Sequence, residues 1–332
     1  MDDNYLYSNS AEQDYFINSG SNTTNEVDEI FLQDVIEGLS HSQKSLPCKY
    51  FYDETGSRLF EQICQLDEYY ITRTELELLE NIKQELANEI GENAVIIEPG
   101  AGAGKKIQIL LHALESPQTY VPMDISKDFL FYSAKVIQEN FRNIEVSPIQ
   151  GDFTKPIKWL DKNSDNRIVF FPGSTIGNFE AELAVSFLQN MKALMGKKGS
   201  MIIGVDRIKD RQTLVNAYDD SSGITSDFNK NLLVRINREL NGNFNLNAFQ
   251  HSAIFNEVDS RIEMHLISTI QQDVRINGHV IRFQKDEAIH TENSHKYSDK
   301  SFIKLVSKAG LKSVKYWVDS KNLFNIYYLV PE

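Results

Sequence analysis

The chain has 332 residues, 41% hydrophobic and 11% aromatic, enough to bury one large core or a large domain with a smaller companion. A formal net charge of −13, with basic clusters no longer than pairs such as Lys197-Lys198, argues against nucleic acid and anionic membranes as partners. Two cysteines, Cys48 and Cys64, are too few for a disulfide framework or a structural zinc site. No apolar run reaches membrane-spanning length, and Met1-Asp2-Asp3-Asn4 opens no signal peptide, so a reduced cytoplasm is the expected location.

In chain order, residues 1–26 read as a polar, disordered tail. Helical spacing follows over 30–39, then an aromatic stretch, Lys49-Tyr50-Phe51-Tyr52-Asp53, and a helix over 57–65. A long helix is predicted over 72–90, with Thr72 and Glu75 at capping-box spacing. From Ala94 strands and helices alternate, with strands at 94–98, 119–124, 144–147, 167–172 and 200–206 and helices at 105–114, 127–141 and 181–195. That alternation predicts a parallel sheet of βαβ units, with ligands at the carboxyl ends of the strands. The alternation stops after Asp206, where a helix over 229–240 and strand-like runs at 253–256, 261–270 and 279–283 suggest a different layout. It resumes with a helix over 299–309 and strands at 313–318 and 324–329. A sheet interrupted and then completed implies an inserted second domain.

Chemistry concentrates at the expected strand ends. Glu98-Pro99-Gly100-Ala101-Gly102-Ala103-Gly104 follows an apolar run and opens a helix. A dinucleotide fingerprint needs its third glycine where Lys105 stands, and no register fits a phosphate-cradling P-loop. The spacing resembles motif I of class I S-adenosylmethionine-dependent methyltransferases. Asp124 ends the second strand, where a carboxylate suits ribose hydroxyls, of this cofactor or of NAD alike. Gly151-Asp152-Phe153 closes the third, offering an acceptor for an adenine amino group and a ring to pack on the base. A helix cap is the competing reading of Asp152, and also of Asn178, which follows the fourth strand.

Longer segments are more specific. Lys44-Ser45-Leu46-Pro47, Lys49 to Asp53, Glu68-Tyr69-Tyr70-Ile71-Thr72-Arg73-Thr74-Glu75 and Gly173-Ser174-Thr175-Ile176-Gly177-Asn178 resemble the histidine Nα-methyltransferases, which make hercynine, the precursor of ergothioneine. So do Ala217-Tyr218-Asp219-Asp220, Arg261-Ile262-Glu263-Met264 and Thr291-Glu292-Asn293-Ser294-His295-Lys296-Tyr297. The resemblance runs from about 44 to 330. It implies an α/β fold with a Rossmann-like methyltransferase sheet, helices on both faces, and a second α+β substrate domain made of an insertion and the N-terminal helices. The expected boundaries are 27–75 for those helices, 76–207 with 298–332 for the cofactor-binding domain, and 208–297 for the insertion.

By the same resemblance, Tyr52, Gly100, Gly102, Lys106, Asp124, Asp152 and Phe153 hold S-adenosyl-L-methionine. Asn178 and Tyr218 match the substrate carboxylate, and Tyr69, Glu292 and Ser294 the imidazole, with Met264 lining the pocket and Gly173 near the amine. No catalytic base is assigned, since the reaction rests on alignment. No metal is expected, and His265, His290 and His295 receive no role. Motif I lacks the family's usual Ser and Thr hydroxyls, Asn293 replaces an apolar residue, and residues 1–40 form a longer tail than usual. The alternative readings are methylation of another α-amino acid such as tryptophan, and a catalytically silent nucleoside-binding module.

Overall fold

The computed structural model describes residues 24–156 and 165–332, so most of the tail expected over 1–26 lies outside the described residues. In chain order the elements are α1 (Thr24–Ser40), β1 (Lys44–Ser45), α2 (Glu54–Ile63), α3 (Tyr70–Ile90), β2 (Val95–Pro99), α4 (Lys105–Ala113), β3 (Thr119–Asp124), α5 (Lys127–Asn140), β4 (Glu145–Val146), β5 (Ile149–Gln150), β6 (Arg167–Phe171), α6 (Ala181–Met195) and β7 (Ser200–Asp206). There follow α7 (Arg211–Asn216), α8 (Ile224–Glu239), β8 (Phe249–Asn256), β9 (Arg261–Ser268), β10 (Gln272–Ile276), β11 (His279–Phe283), β12 (Ala288–His295), α9 (Asp299–Lys308), β13 (Leu311–Val318) and β14 (Phe324–Pro331).

The large sheet runs β13-β14-β7-β6-β2-β3-β4, with β5 also on β3. Strands β4, β3, β2, β6 and β7 are parallel, and β14 enters antiparallel between β7 and β13. Every residue of β2 and β7 is buried. Parallel strands covered on both faces are apolar throughout rather than alternating, which is why these segments read as continuous runs. Side-chain parity sorts the two faces. Ile96, Phe170 and Ile202 pack with Leu78, Leu79, Ile82 and Leu86 of α3 and Leu110 and Leu111 of α4. Val95, Ile97, Phe171 and Ile203 face Phe187, Leu188 and Met191 of α6 and Phe302 and Val306 of α9. Each such large side chain contributes about 1.5–3 kcal/mol when fully buried. The expected Rossmann-like α/β sheet is therefore present.

A second sheet runs β1-β12-β9-β8, with β1 parallel to β12 and the others antiparallel. Leu232, Leu233 and Ile236 of α8 pack with its buried Ile262, Met264 and Leu266. The N-terminal segment joins this unit directly, through the β1–β12 pairing and through Phe51, whose ring stacks on Phe228 of α8 at 4.5 Å. Strands β10 and β11 form a separate hairpin turned by Asn277-Gly278, both at positive φ, the backbone an Asn-Gly hairpin turn demands.

Several sequence expectations need correction. The long helix starts at Tyr70, and no capping box forms at Thr72 and Glu75; the N-cap residue Tyr69 makes no side-chain cap bond, and Glu75 is fully buried with partners far away in sequence. Asn178 is not a helix cap: it ends a 3-10 turn, Thr175–Asn178, and Glu180 precedes α6. Helix α7 and strands β10 and β12 were not anticipated. β12 is polar in sequence, Ala-Ile-His-Thr-Glu-Asn-Ser-His, and is a strand because β9 and β1 pair with it on both sides.

Candidate active site

Strand order reverses between β2 and β6, and the carboxyl ends of these strands open into a cleft of about 820 Å³ facing β12 and the N-terminal segment. A topological switch point is where open α/β sheets take their ligands. Thirteen of the fourteen residues singled out from the sequence line this cleft. The other, Met264, lies in a tight recess of about 20 Å³ at its inner end, shared with Tyr52, Tyr69, Tyr218 and Glu292.

At the sheet end, Gly100, Gly102 and Gly104 have φ of 71°, 53° and 67°, a region L side chains rarely adopt. A Cβ on Gly100 would stand 3.3 Å from the Phe153 ring, so the glycine keeps the loop clear for a ligand. The backbone N–H groups of Gly100 and Ala101 donate to Met123 O at 2.7 and 3.0 Å, folding the loop back onto β3. Asp124 accepts from Gly102 N (3.2 Å) and Ser126 N (3.0 Å). Burial raises its pKa, and these backbone donors act the other way. Asp152 is not a helix cap; its Oδ1 closes a turn onto the backbone N–H and hydroxyl of Thr154. Phe153 packs edge-on against Phe171 and Phe187. Glu98 is buried, receives the Tyr120 hydroxyl, and is pushed up to about 8, chiefly by burial. Glycine loop, acid and aromatic ring together fit a nucleoside without any hydroxyl from motif I.

Lys106 and Gly173 meet in one knot. Lys106 Nζ pairs with Glu75 Oε2 at 2.6 Å, and the Gly173 N–H donates to the same carboxylate at 2.8 and 2.9 Å. Glu75 was missed as a site residue because its spacing suggested a cap; its role depends on α3 crossing behind β6 and β7.

At the far end, Tyr218 OH lies 2.7 Å from Ser294 Oγ, and Lys296 Nζ donates to both, at 2.9 and 2.7 Å. The two hydroxyls, expected to grip opposite ends of a substrate, are neighbours. Tyr69 packs edge-on to Tyr218 at 6.0 Å. Glu292 stands opposite Met264 in the β12–β9 ladder. Its carboxyl has no hydrogen-bond partner among the described residues, and burial raises it to about 8 against the opposing field of Lys296. A β-bulge between His290 and Glu292 turns Glu292 toward the recess. Asn293 donates to Glu180 Oε1 at 2.8 Å, on the other face of β12. Asn178 contributes its amide from the turn after β6 and has no partner among the described residues.

Lys296, Asp206, Tyr70 and Lys209 form a network behind this end that the sequence reading did not assign. The only signals were the position of Lys296 in the motif 291–297 and of Asp206 at a strand's carboxyl end. One group of possible metal ligands also exists among the described residues: Glu263, His265 and His290 offer atoms within 4.8 Å of one another. Glu263 Oε1 is already committed to Arg261 Nε (2.8 Å) and Asn256 Nδ2 (2.9 Å).

Comparison with known proteins agrees with this geometry. The family described as SAM-dependent, histidine-specific methyltransferases matches residues 31–331. The histidine N-alpha-methyltransferase of Mycobacterium tuberculosis is 36% identical over 299 residues, covering 89% of this chain and 92% of that protein. That of Mycolicibacterium smegmatis is 35% identical over 303 residues, covering 90% and 94%. Ergothioneine biosynthesis protein 1 of Neurospora crassa is 29% identical over 286 residues, 82% of this chain but 32% of that protein. Neither the tryptophan reading nor the silent module is favoured. With a glycine loop, an acid and an aromatic ring at one end of the cleft, a polar aromatic recess at the other and a match over nearly the whole described chain, this protein belongs to the S-adenosylmethionine-dependent, histidine-specific methyltransferase family.

Proposed function

We propose that this enzyme methylates the α-amine of L-histidine, three times, to give the betaine hercynine. The observation that carries the reading is the inner end of the cleft, where an unpaired Glu292 carboxyl and the Tyr218 hydroxyl line the recess among aromatic rings and the Ser294 hydroxyl, on the cleft wall, lies 2.7 Å from that of Tyr218. Of the two imidazole nitrogens, Nδ1 is nearer the amino-acid backbone. Adjacent hydroxyls suit a carboxylate oxygen and Nδ1 of one folded histidine, Tyr218 with Asn178 taking the carboxylate and Ser294 taking Nδ1. Glu292 then faces Nε2. Tyr69, Tyr52 and Met264 wall the ring.

S-adenosylmethionine supplies an electrophilic methyl group on a sulfonium centre. In the proposal Gly100, Gly102, Asp124, Asp152 and Phe153 hold its nucleoside, while Lys106, fixed by Glu75, and Gly173 stand between nucleoside and recess. The amine must reach the site neutral, and the protein's contribution is alignment rather than a strong base. Holding histidine by carboxylate and ring leaves the amine space to acquire methyl groups. The division of labour proposed for the chain gives residues 76–207 and 298–332 to the cofactor and 27–75 with 208–297 to the substrate. The substrate is a small molecule. No described helix is long and apolar enough to cross a membrane, and Cys48 and Cys64 form no disulfide with each other. A cytoplasmic location without nucleic-acid partners belongs to the same proposal.

Incubating the enzyme with the cofactor and each of the protein amino acids, with detection by mass spectrometry, tests the reading. Mono-, di- and trimethylated histidine are expected; preferential methylation of tryptophan, or of no amino acid, would overturn it.

A further inference from the structure

Lys296 follows directly on β12 and is buried to 2% exposure. An ammonium has three N–H donors and no acceptor. Here each finds one oxygen: Asp206 Oδ2 at 2.9 Å, Tyr218 OH at 2.9 Å and Ser294 Oγ at 2.7 Å. Burial works against its charge, but Asp206 and Tyr218 outweigh that and hold its pKa above the ordinary lysine value. Asp206, completely buried, also accepts from the Tyr70 hydroxyl (2.7 Å to Oδ2) and from Lys209, while its backbone N–H donates to Ser174 Oγ at 2.9 Å. Lys209 is pushed down to about 8, mainly by burial, and is still cationic at neutral pH. The network therefore holds two ammonium groups and one carboxylate, an excess of one positive charge directly behind the Tyr218–Ser294 pair.

Proton counting gives this arrangement a consequence. Each hydroxyl has one proton, and each already accepts a hydrogen bond from Lys296. Between the pair, 2.7 Å apart, one hydroxyl donates to the other, and the remaining proton has no acceptor among the described residues. The result is one free donor on a pair of hydroxyls that lines the cleft, and a ligand with two acceptors can take both protons. We propose that Lys296 is a positioning residue for substrate: by filling acceptor sites on Tyr218 and Ser294 it turns both hydroxyls into donors, and with Lys209 it supplies the positive field that draws a carboxylate to them. The proposal rests on the histidine reading, in which those donors meet the carboxylate and Nδ1. Buried fixed charge acts strongly here because little water screens it. Lys296 touches no reacting atom; it acts through the two hydroxyls.

The test compares Lys296→Met and Lys296→Gln with wild type by calorimetry with histidine, with histamine (which lacks the carboxylate) and with the cofactor. Lost hydrogen bonds to a charged group correspond to about 10- to 150-fold in affinity. Histidine binding should weaken by that factor in Lys296→Met and by less in Lys296→Gln, which retains a donor but no charge. Histamine affinity should fall much less, shrinking the preference for histidine, and cofactor affinity should stay within about twofold, which also reports a folded sheet. In a Tyr218→Phe, Ser294→Ala background the further change to Met should weaken histidine binding by clearly less than it does in wild type, since the hydroxyls it acts through are gone and only its charge is left to lose. Equal losses for histidine and histamine, additive effects in that background, or unchanged histidine affinity would each overturn the role of Lys296. Should Lys296→Met lose cofactor binding as well, the Lys296→Gln ratio of histidine to histamine affinity decides in the same way. Wild type failing to bind histidine would instead overturn the substrate reading itself.

Discussion

At the scale of single residues, two carboxyl groups with raised pKa carry separate predictions. Asp124 is held by two backbone N–H groups at the end of β3 and faces the cleft beside the glycine loop. Asp124→Ala should weaken cofactor binding by about 1.5–3 kcal/mol, measured by calorimetry, as for lost hydrogen bonds to a charged group. Unchanged affinity would remove it from the nucleoside site. Glu292 is pushed up to about 8 from an ordinary 4.5, chiefly by burial. A group with a raised folded pKa binds its proton more tightly in the folded protein. Its contribution to stability is therefore complete below about 4.5 and lost as pH rises through about 8. The melting temperature of wild type should fall relative to Glu292→Gln between pH 5 and 9; parallel profiles would place Glu292 in water. Glu98, also near 8, is common to both proteins and cancels. Glu292→Ala should cut kcat/KM for histidine by about 10- to 150-fold while sparing any activity on tryptophan or phenylalanine. Equal loss on all three would make Glu292 structural.

At the scale of elements, α3 does more than cover the sheet. Its first turns carry Tyr70 to Asp206 and Glu75 to Gly173 and Lys106, so one helix braces both the Asp206–Lys296 network and the turn after β6. The packing is close: a Cβ on Gly204 of β7 would stand 1.9 Å from Glu75 Oε1. Glu75→Ala leaves the Lys106 ammonium and the Gly173 N–H without their acceptor. Breaking a buried pair from one side costs about 3–5 kcal/mol. Lys106 keeps some water, with its side chain 20% exposed, so the lower end, about 3 kcal/mol, is expected in denaturant unfolding. A loss below about 1 kcal/mol would show that Lys106 and the turn find other partners. The same knot shows how sequence misleads locally. Thr72 and Glu75 have capping-box spacing, yet the helix begins at Tyr70 and Glu75 turns inward, because a buried acceptor for the Gly173 N–H outweighs a solvent-exposed cap.

At the scale of the molecule, the two sheets share one apolar core. A continuous cluster runs from Leu79 and Ile82 of α3, through Phe51 and Phe228, to Leu232 of α8, Met264 of β9 and Ile289 of β12. The ion pair of Lys296 and Asp206 crosses between the sheets at the same place. Units with a common core should unfold together. Circular dichroism and the fluorescence of the tryptophans should therefore report one coincident transition in denaturant. Two separated transitions would mean that the inserted segment 208–297 folds independently. The cleft lies on this shared boundary, which ties the integrity of its inner recess to the fold of both units.

Hydrophobic runs, their alternation with helical periods and the glycine motif determined the large sheet and the edge at which its cleft opens, because parallel strands buried on both faces need little but apolar side chains. The motifs gathered fourteen candidate residues, and the fold brings them to one cleft and its inner recess. Tertiary structure decided the rest. β12 has few apolar residues and becomes a strand only through its neighbours, and its bulge, invisible in sequence, is what points Glu292 inward. The neighbourhood of the Tyr218 and Ser294 hydroxyls joins positions 76 residues apart, and Asp206 meets Lys296 from another sheet altogether. Sequence spacing encodes local periodicity and backbone freedom; which buried charge finds which partner depends on contacts between distant segments, and those exist only once the chain has folded.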